Sequence, residues 1–359
     1  MARSSTHDPD DLIAHVPAAT IAWLTEPVNP AVAALTLRTL LDEPDSPEMD
    51  ALWASRNKYA PVAAILEAMR PNGSWDTPAR DYQKYGGSLW QIVILGELYA
   101  SGHCHRIRRA ADYAFSRQLD DGSWSATNRR ASGSIPCLTA NVARSLARMG
   151  WSRDERVVAA VANVAGIVRD HGVVACPAGG TDTTLNGYCH MLAPKLLLLL
   201  GEVPRDLWPD GAVAMRDECV RVLRDKQVHR CLPKGSREFA ELAYEAKTAE
   251  RTAAVRERFL AEHAPLEWGD KPGWLRFGYP LSYNSDALEA LLALAGVGEG
   301  RRPEYEPALD AVRAAADPQM RWTMRNSLNG KMISDVETKG QPSRWLTLRA
   351  LQVLRAFGD

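Results

Sequence analysis

Among the 359 residues, Asp182 stands out by its setting: it lies in Gly180-Thr181-Asp182-Thr183-Thr184, directly ahead of an apolar run that begins at Leu185. An acid flanked by hydroxyls at a helix start has two readings. It caps the helix by accepting backbone N–H groups. Alternatively, where the helix start faces a dry cavity, burial keeps the carboxyl protonated, and the helix N–H groups with the Thr183 and Thr184 hydroxyls stabilise its conjugate base, so that it becomes a general acid. Asp286, in Tyr283-Asn284-Ser285-Asp286, opens a second apolar run and invites the same pair of readings. Asp8-Pro9-Asp10-Asp11 is denser in carboxylates, but it sits in a polar N-terminal arm and is assigned no chemistry.

Thiols offer a second kind of chemistry. Cys137, Cys176, Cys189 with His190, and Cys231 with His229 fall near turns or helix starts, and three or four of them on one rim would bind Zn²⁺. No pair has Cys-x-x-Cys spacing, and isolated cysteines at helix boundaries usually serve as small buried hydrophobes. No metal ligand is therefore assigned, and the role of the four cysteines stays open.

What must position these residues is a repeat. Arg70-Pro-Asn-Gly-Ser-Trp75 and Leu119-Asp-Asp-Gly-Ser-Trp124 place their tryptophans 49 residues apart, and Asp170-His-Gly-Val-Val174 follows 50 residues on, with Gly172 kept and the aromatic replaced. Trp274 and Trp322 lie 100 and 148 residues beyond Val174, which holds the spacing if one turn near 224–228 has degenerated. Before these turns the periodicity is that of an amphipathic helix, over 104–118 and 153–168. After them come more apolar helices, at 89–99, 138–149, 185–200, 288–295 and 346–357. An amphipathic helix followed by an apolar one, five or six times over, predicts an all-α toroid of two concentric rings, built from ~49-residue helical hairpins. An open solenoid of helix pairs is the structural alternative. The expected organisation is an N-terminal arm and first helix over 1–29 and one toroid over 30–359. Each glycine suits a left-handed helix end, and each tryptophan lays its ring over the helix while its N–H finds a carbonyl.

Gln118-Leu-Asp-Asp-Gly122-Ser-Trp124 resembles the Gln…Gly-x-Trp repeat of squalene-hopene and oxidosqualene cyclases, class II terpene cyclases whose β domain is an (α/α)6 barrel related to protein prenyltransferase β subunits. In repeat layout the resemblance covers roughly residues 30 to 358. Those cyclases carry Asp-x-Asp-Asp-Thr-Ala or Asp-x-Asp-Thr-Thr at an inner-helix start. Here Gly180 stands in place of the first acid, Asp182 matches the central one, and Thr183-Thr184 match the Thr-Thr variant. The resemblance implies protonation of an alkene by Asp182 and cyclisation of a linear isoprenoid in a cavity walled by aromatic faces that stabilise carbocations. Trp90, Tyr188, Trp274, Phe277, Tyr279, Tyr283 and Trp345, with Asp286, are the candidate lining. A diphosphate-bearing substrate would call for Mg²⁺, as in members acting on diphosphates; otherwise no cofactor is implied. In the prenyltransferase comparison Leu185 falls where the zinc histidine belongs, which argues against that activity. A toroid with a Cys/His metal site and a non-catalytic toroid binding a hydrophobic ligand or a protein remain the alternatives.

Composition narrows the partners. A formal net charge of −1 and a pI near 6.7 give no electrostatic footprint for nucleic acid. The longest apolar run falls far short of the roughly 18 to 20 residues of a membrane span, leaving peripheral membrane contact open. The first apolar stretch is short and follows acidic residues, so a cytoplasmic protein with six reduced cysteines is expected. Neither the substrate's length nor the oligomeric state is written in the sequence. Asp-Asp-x-x-Asp, Walker and Gly-x-Gly-x-x-Gly motifs are missing.

Overall fold

The computed structural model of the chain describes residues 11–126, 134–173, 191–232, 249–263 and 268–358, together with Cys189, Phe239, Glu241, Leu242 and Glu245. Its architecture is all-α: the described strands are a single antiparallel pair, β1 (Arg230–Cys231) and β2 (Gly269–Asp270). The helices are α1 (Asp11–His15), α2 (Ala18–Leu24), α3 (Pro30–Thr39), α4 (Pro47–Ser55), α5 (Ala60–Glu67), α6 (Ser88–Glu97), α7 (His105–Ser116), α8 (Pro136–Leu146), α9 (Glu155–His171), α10 (Leu192–Glu202), α11 (Ala212–Asp225), α12 (Ala249–Glu262), α13 (Ala287–Gly296), α14 (Glu306–Ala314) and α15 (Arg344–Ala356). The expected helices are present within a few residues of their predicted bounds. The one expected over 185–200 is described from Leu192 onward.

Two populations of helix follow from the apolar patterning. In α7 the buried positions Ile107, Ala110, Ala111, Ala114 and Phe115 recur at steps of three and four, so one stripe faces the core. In α6 all ten residues are buried. The more deeply buried class, α6, α8, α10, α13 and α15, packs in sequence order, each on the next, and α15 packs on α3. On their other side α6, α8, α10 and α13 rest on α7, α9, α11 and α14. The last helix thus returns to the first pair: α1 and α2 touch α15, Thr20 Oγ1 donates to the Gln319 carbonyl at 2.6 Å, and Arg344 Nε donates to the Trp23 carbonyl at 3.1 Å. The main apolar core draws on residues from Leu12 to Phe357, with smaller clusters around Met49 and around Phe239 and Phe259.

The Gly-Ser-Trp turns are nearly identical in atomic detail. Trp75 Nε1 donates to the Ile65 carbonyl (2.6 Å), Trp124 Nε1 to Ala114 (2.8 Å) and Trp322 Nε1 to Val312 (2.7 Å), each ten residues back in the preceding helix. Their backbone N–H groups meet a hydroxyl at the start of the following helix, Ser88, Thr139 and Thr347 respectively. Each tryptophan therefore ties an outer helix to the next inner one. Gly122 is left-handed (φ 84°), and a Cβ there would lie 2.5 Å from the Ala159 carbonyl oxygen of α9, so both backbone and space demand glycine. At the third such turn Met320 holds the glycine's place with φ 53°. Gln118, the glutamine of the motif, donates to the carbonyls of Gly122 and Arg156, both at 2.8 Å, which fixes the turn to the start of α9.

Candidate functional site

Two of the expected aromatics, Trp90 and Tyr283, meet near the starts of α6 and α13, together with Tyr85. Trp90, in the first turn of α6, lies 5.9 Å from Tyr283, ring centre to ring centre, and Tyr283 stacks on Tyr85 at 6.2 Å. The Lys84 ammonium sits 4.4 Å over the Tyr283 ring and bonds its hydroxyl. Trp90 Nε1 donates to the Tyr82 carbonyl in the segment before α6, and Asn141 of α8 donates to the Ser282 carbonyl, so the loop before α13 is moored to α8. Burial and the Tyr283 hydrogen bond push the Tyr85 phenol up to about 12, while the Tyr85 hydroxyl and Lys84 draw that of Tyr283 down.

Asp286 anchors the same loop. It is buried, caps α13 by accepting the Glu289 N–H (Oδ1, 2.8 Å), and accepts the Gly278 N–H on Oδ2 at 3.1 Å. Burial, reinforced by the nearby Glu289 carboxylate, raises its carboxyl to about 7 in spite of the two backbone donors. The capping role and the buried-acid environment thus coexist in one residue. Around it the hydroxyls of Ser282 and Ser285 are buried without a hydrogen-bond partner, as is Gln91 Oε1. Backbone strain marks the spot as well, since Ser282 has φ 52°.

Tyr279 and Trp345 lie elsewhere. Their rings stack at 4.7 Å, and Trp345 stacks in turn on Tyr99 at 5.9 Å. The Arg349 guanidinium covers the Tyr279 ring at 4.4 Å, and Arg148 covers that of Tyr99 at 4.4 Å, which closes a column of three rings between two cations. Glu97, the last residue of α6, sits among those cations. It pairs with Arg144, with Arg349 at 2.6 Å and with Arg148 at 3.8 Å, and its backbone carbonyl accepts the Tyr279 hydroxyl. Burial alone would raise the Glu97 carboxyl, but Arg144, Arg349, Arg148 and Lys195 overcome it and hold it far below the usual range. Lys195 of α10 and Glu289 of α13 form a second buried pair at 2.7 Å, and Glu202 accepts Arg148 Nε at 2.5 Å. The axial space between the inner helices is therefore charged as well as aromatic.

These ions were not among the sequence candidates. Their signal was nonetheless present: Lys195 is the only charge in Leu192–Gly201, and Glu289 the only one in Ala287–Gly296. A lone charge inside an apolar inner helix has nowhere to go but the axis.

The degenerate turn near 224–228 gathers polar groups of its own. Gln227 and Val228 are both left-handed (φ 48° and 67°), which is a strained arrangement for a β-branched side chain. Lys226 is buried with its ammonium 4.3 Å over the Trp274 ring, and burial next to Lys271 lowers it to about 7. His229 Nε2 lies 3.2 Å from Asp270 Oδ1. Phe277 is buried, and its carbonyl accepts the Arg325 and Asn326 N–H groups.

Asp182, Thr183, Thr184 and Tyr188 lie outside the described residues, as do Cys176 and His190. Cys137, Cys189 and Cys231 are half-buried, and among the described residues no three His, Cys, Asp or Glu side chains converge as a metal site would require. The described groups therefore do not offer a Mg²⁺ or Zn²⁺ holder. No helix among the described residues is long and apolar enough to cross a membrane.

No family model and no curated protein matches this sequence. Among solved structures, a protein from Actinoplanes is similar at 17% identity with a TM-score of 0.34, covering 85% of this chain and 99% of that one. The type II terpene cyclase MstE from Scytonema, in its apo form, is similar at 15% identity with a TM-score of 0.34, covering 84% of this chain and 97% of that one. At such a TM-score the likeness decides neither fold nor activity.

Proposed function

We propose that this chain is a class II-type isoprenoid cyclase: a closed α/α toroid over 30–359 in which a buried carboxylic acid protonates an alkene of a linear isoprenoid and starts its cyclisation. Asp182 is the general acid of this reading, with Thr183 and Thr184 as the hydroxyls that steady its conjugate base. The observation that carries the reading is the environment of Asp286. At the start of an inner helix, beside Tyr283 and Trp90, a buried carboxyl is held near neutrality while fixed backbone N–H groups stand ready for its anion. That is the environment an alkene-protonating acid needs.

Asp182 precedes α10 in the chain, and α10 packs on α13, whose first turn Asp286 caps. In chain order the two acids therefore precede neighbouring inner helices. In this reading Asp286 shapes the wall of the cavity, and the ring faces of Trp90 and Tyr283 meet the developing cation.

The test is product analysis after incubation with farnesyl diphosphate, geranylgeranyl diphosphate and non-phosphorylated polyprenes. The wild type is expected to form a cyclised product from one of them. Loss of a general acid costs about 10²- to 10⁴-fold in rate, and Asp182→Asn is expected to fall in that range. Full activity in Asp182→Asn together with loss in Asp286→Asn would transfer the role of acid to Asp286. The absence of any cyclised product across the panel would overturn the cyclase reading itself.

A further inference from the structure

The opposite end of the inner helices holds a cavity of about 740 Å³, within the size range of small-molecule sites. Helices α3, α10, α13 and α15 contribute to it, with Tyr99 and Arg148 from the segments that follow α6 and α8. Its apolar wall includes Leu35 of α3, Leu197 of α10 and Leu292 of α13, and its polar wall includes Arg148, Glu202 and Gln352. Gly201 and Gly296 flank its mouth, and a Cβ on Gly296 would meet nothing within 4 Å.

The polar wall is the near side of the axial ion network, and that network is unbalanced. Four cations, Arg144, Arg148, Lys195 and Arg349, face three anions, Glu97, Glu202 and Glu289. The imbalance is visible atom by atom. Arg144 Nε, Arg144 Nη2 and Arg148 Nη1 are buried and donate no hydrogen bond; Arg144 Nε and Arg148 Nη1 only approach carboxylate oxygens, of Glu202 at 4.0 Å and of Glu97 at 3.8 Å. Buried guanidinium N–H groups that lack a hydrogen bond are costly and call for an acceptor. Arg148 lines the cavity, so an acceptor can arrive from that side.

We propose that this cavity is a binding site for an amphipathic monocarboxylate, separate from the reaction site at the other end. The carboxylate lies against Arg148 and toward Arg144, supplying the missing acceptor and cancelling the single excess charge. The apolar chain runs along Leu35, Leu197 and Leu292 toward the mouth between Gly201 and Gly296. A monoanion is specified rather than a phosphate or diphosphate for two reasons. One charge suffices for balance, and the Glu202 carboxylate with the surrounding helix C-termini opposes further negative charge. An ammonium head group would meet Arg148 and is excluded by the same electrostatics.

Calorimetric titration of the full chain with decanoate, decanol, decylamine and decyl phosphate tests this without any reference to catalysis. Decanoate is expected to bind, and the other three at least about tenfold more weakly, since only the carboxylate supplies a singly charged acceptor. Gly296→Phe projects a ring into open space at the mouth and is expected to abolish decanoate binding while leaving the circular dichroism and Tm of the protein unchanged. Arg148→Lys, which keeps the charge but loses the planar fork, is expected to weaken decanoate by about tenfold. Equal binding of decanol and decanoate, tighter binding of decyl phosphate, or decanoate binding indifferent to Gly296→Phe would each overturn the proposal. So would no binding of decanoate, which would leave hydration as the answer to the unpaired N–H groups. Because the readout is binding, failure here leaves the cyclase reading untouched, and failure of the cyclase assay leaves this site untouched.

Discussion

At their N-terminal ends the inner helices present Trp90, Tyr283 and Tyr85, an acid lifted toward neutrality, and buried Ser282 and Ser285 hydroxyls without partners. Toward their C-terminal ends they present Glu97 clamped by three arginines, with Arg148 and Glu202 bordering an open cavity. Both ends are buried and both contain carboxyls, yet the carboxyls are driven in opposite directions. Asp286 has backbone dipoles and a neighbouring anion for company, so burial wins. Glu97 has guanidinium groups on several sides, so Coulomb attraction wins. One set of buried helices thus holds an acid that can carry a proton and an acid that cannot.

The comparison breaks most readily at Glu97. Replacing it with Gln leaves Arg144, Arg148 and Arg349 without their shared counter-ion, and loss of about 3–5 kcal/mol of stability is expected in urea denaturation. Because the Glu97 carboxyl is held low, its stabilisation is present throughout the neutral range and lost only as pH falls through its depressed value. The effect of Glu97→Gln is therefore expected to be flat from pH 5 to about 9; a strong slope there would show the two ends to be alike.

Asp286→Asn sharpens the contrast from the other side. A carboxyl whose folded-state value is about 7 against an ordinary 3.8 binds its proton more tightly in the folded state. Its stabilising proton is fully present below the ordinary value, and that stability is lost as pH rises through about 7. Relative to Asp286→Asn, the wild type is thus expected to weaken between pH 4.5 and 8 by on the order of 2–4 kcal/mol, read as the difference in Tm or unfolding free energy. A constant difference across that range would place Asp286 in the same class as Glu97.

Two smaller effects calibrate these. Trp124→Phe removes the indole N–H bond to the Ala114 carbonyl, and a loss of about 1 kcal/mol is expected, with no dependence on pH. Arg153→Ala breaks the exposed pair with Asp206, and a change below about 0.5 kcal/mol is expected in the same denaturation assay. If the surface pair matched Glu97 in size, the axial network would owe nothing to burial.

Much of the frame was legible from spacing. The 49-residue interval between Trp75 and Trp124, and the recurrence at Trp322, located helix ends that share one set of hydrogen bonds. Glycine marks the left-handed turns at Gly73 and Gly122, but Met320 does the same work without announcing it. The aromatics were legible as types and not as places. Trp90 and Tyr283 meet beside Tyr85, whereas Trp345, also in the first turn of its helix, stacks with Tyr279 under the Arg349 guanidinium. Nothing in a list of aromatic positions separates those two settings, because ring contacts depend on which helix faces which.

The sequence by itself determined the all-α architecture and the division into half-buried and fully buried helices. Hydrophobic period, glycine position and tryptophan spacing act within a few turns of one another, so their consequences are local. Only the tertiary structure decided the state of each acid. Asp286 and Glu97 are the same chemical group in similar apolar helices, and what separates them is the company supplied by residues remote in the chain: Arg144 and Arg349 for Glu97, the Gly278 N–H and Glu289 for Asp286. Charge acts through space, and the space was created by the fold.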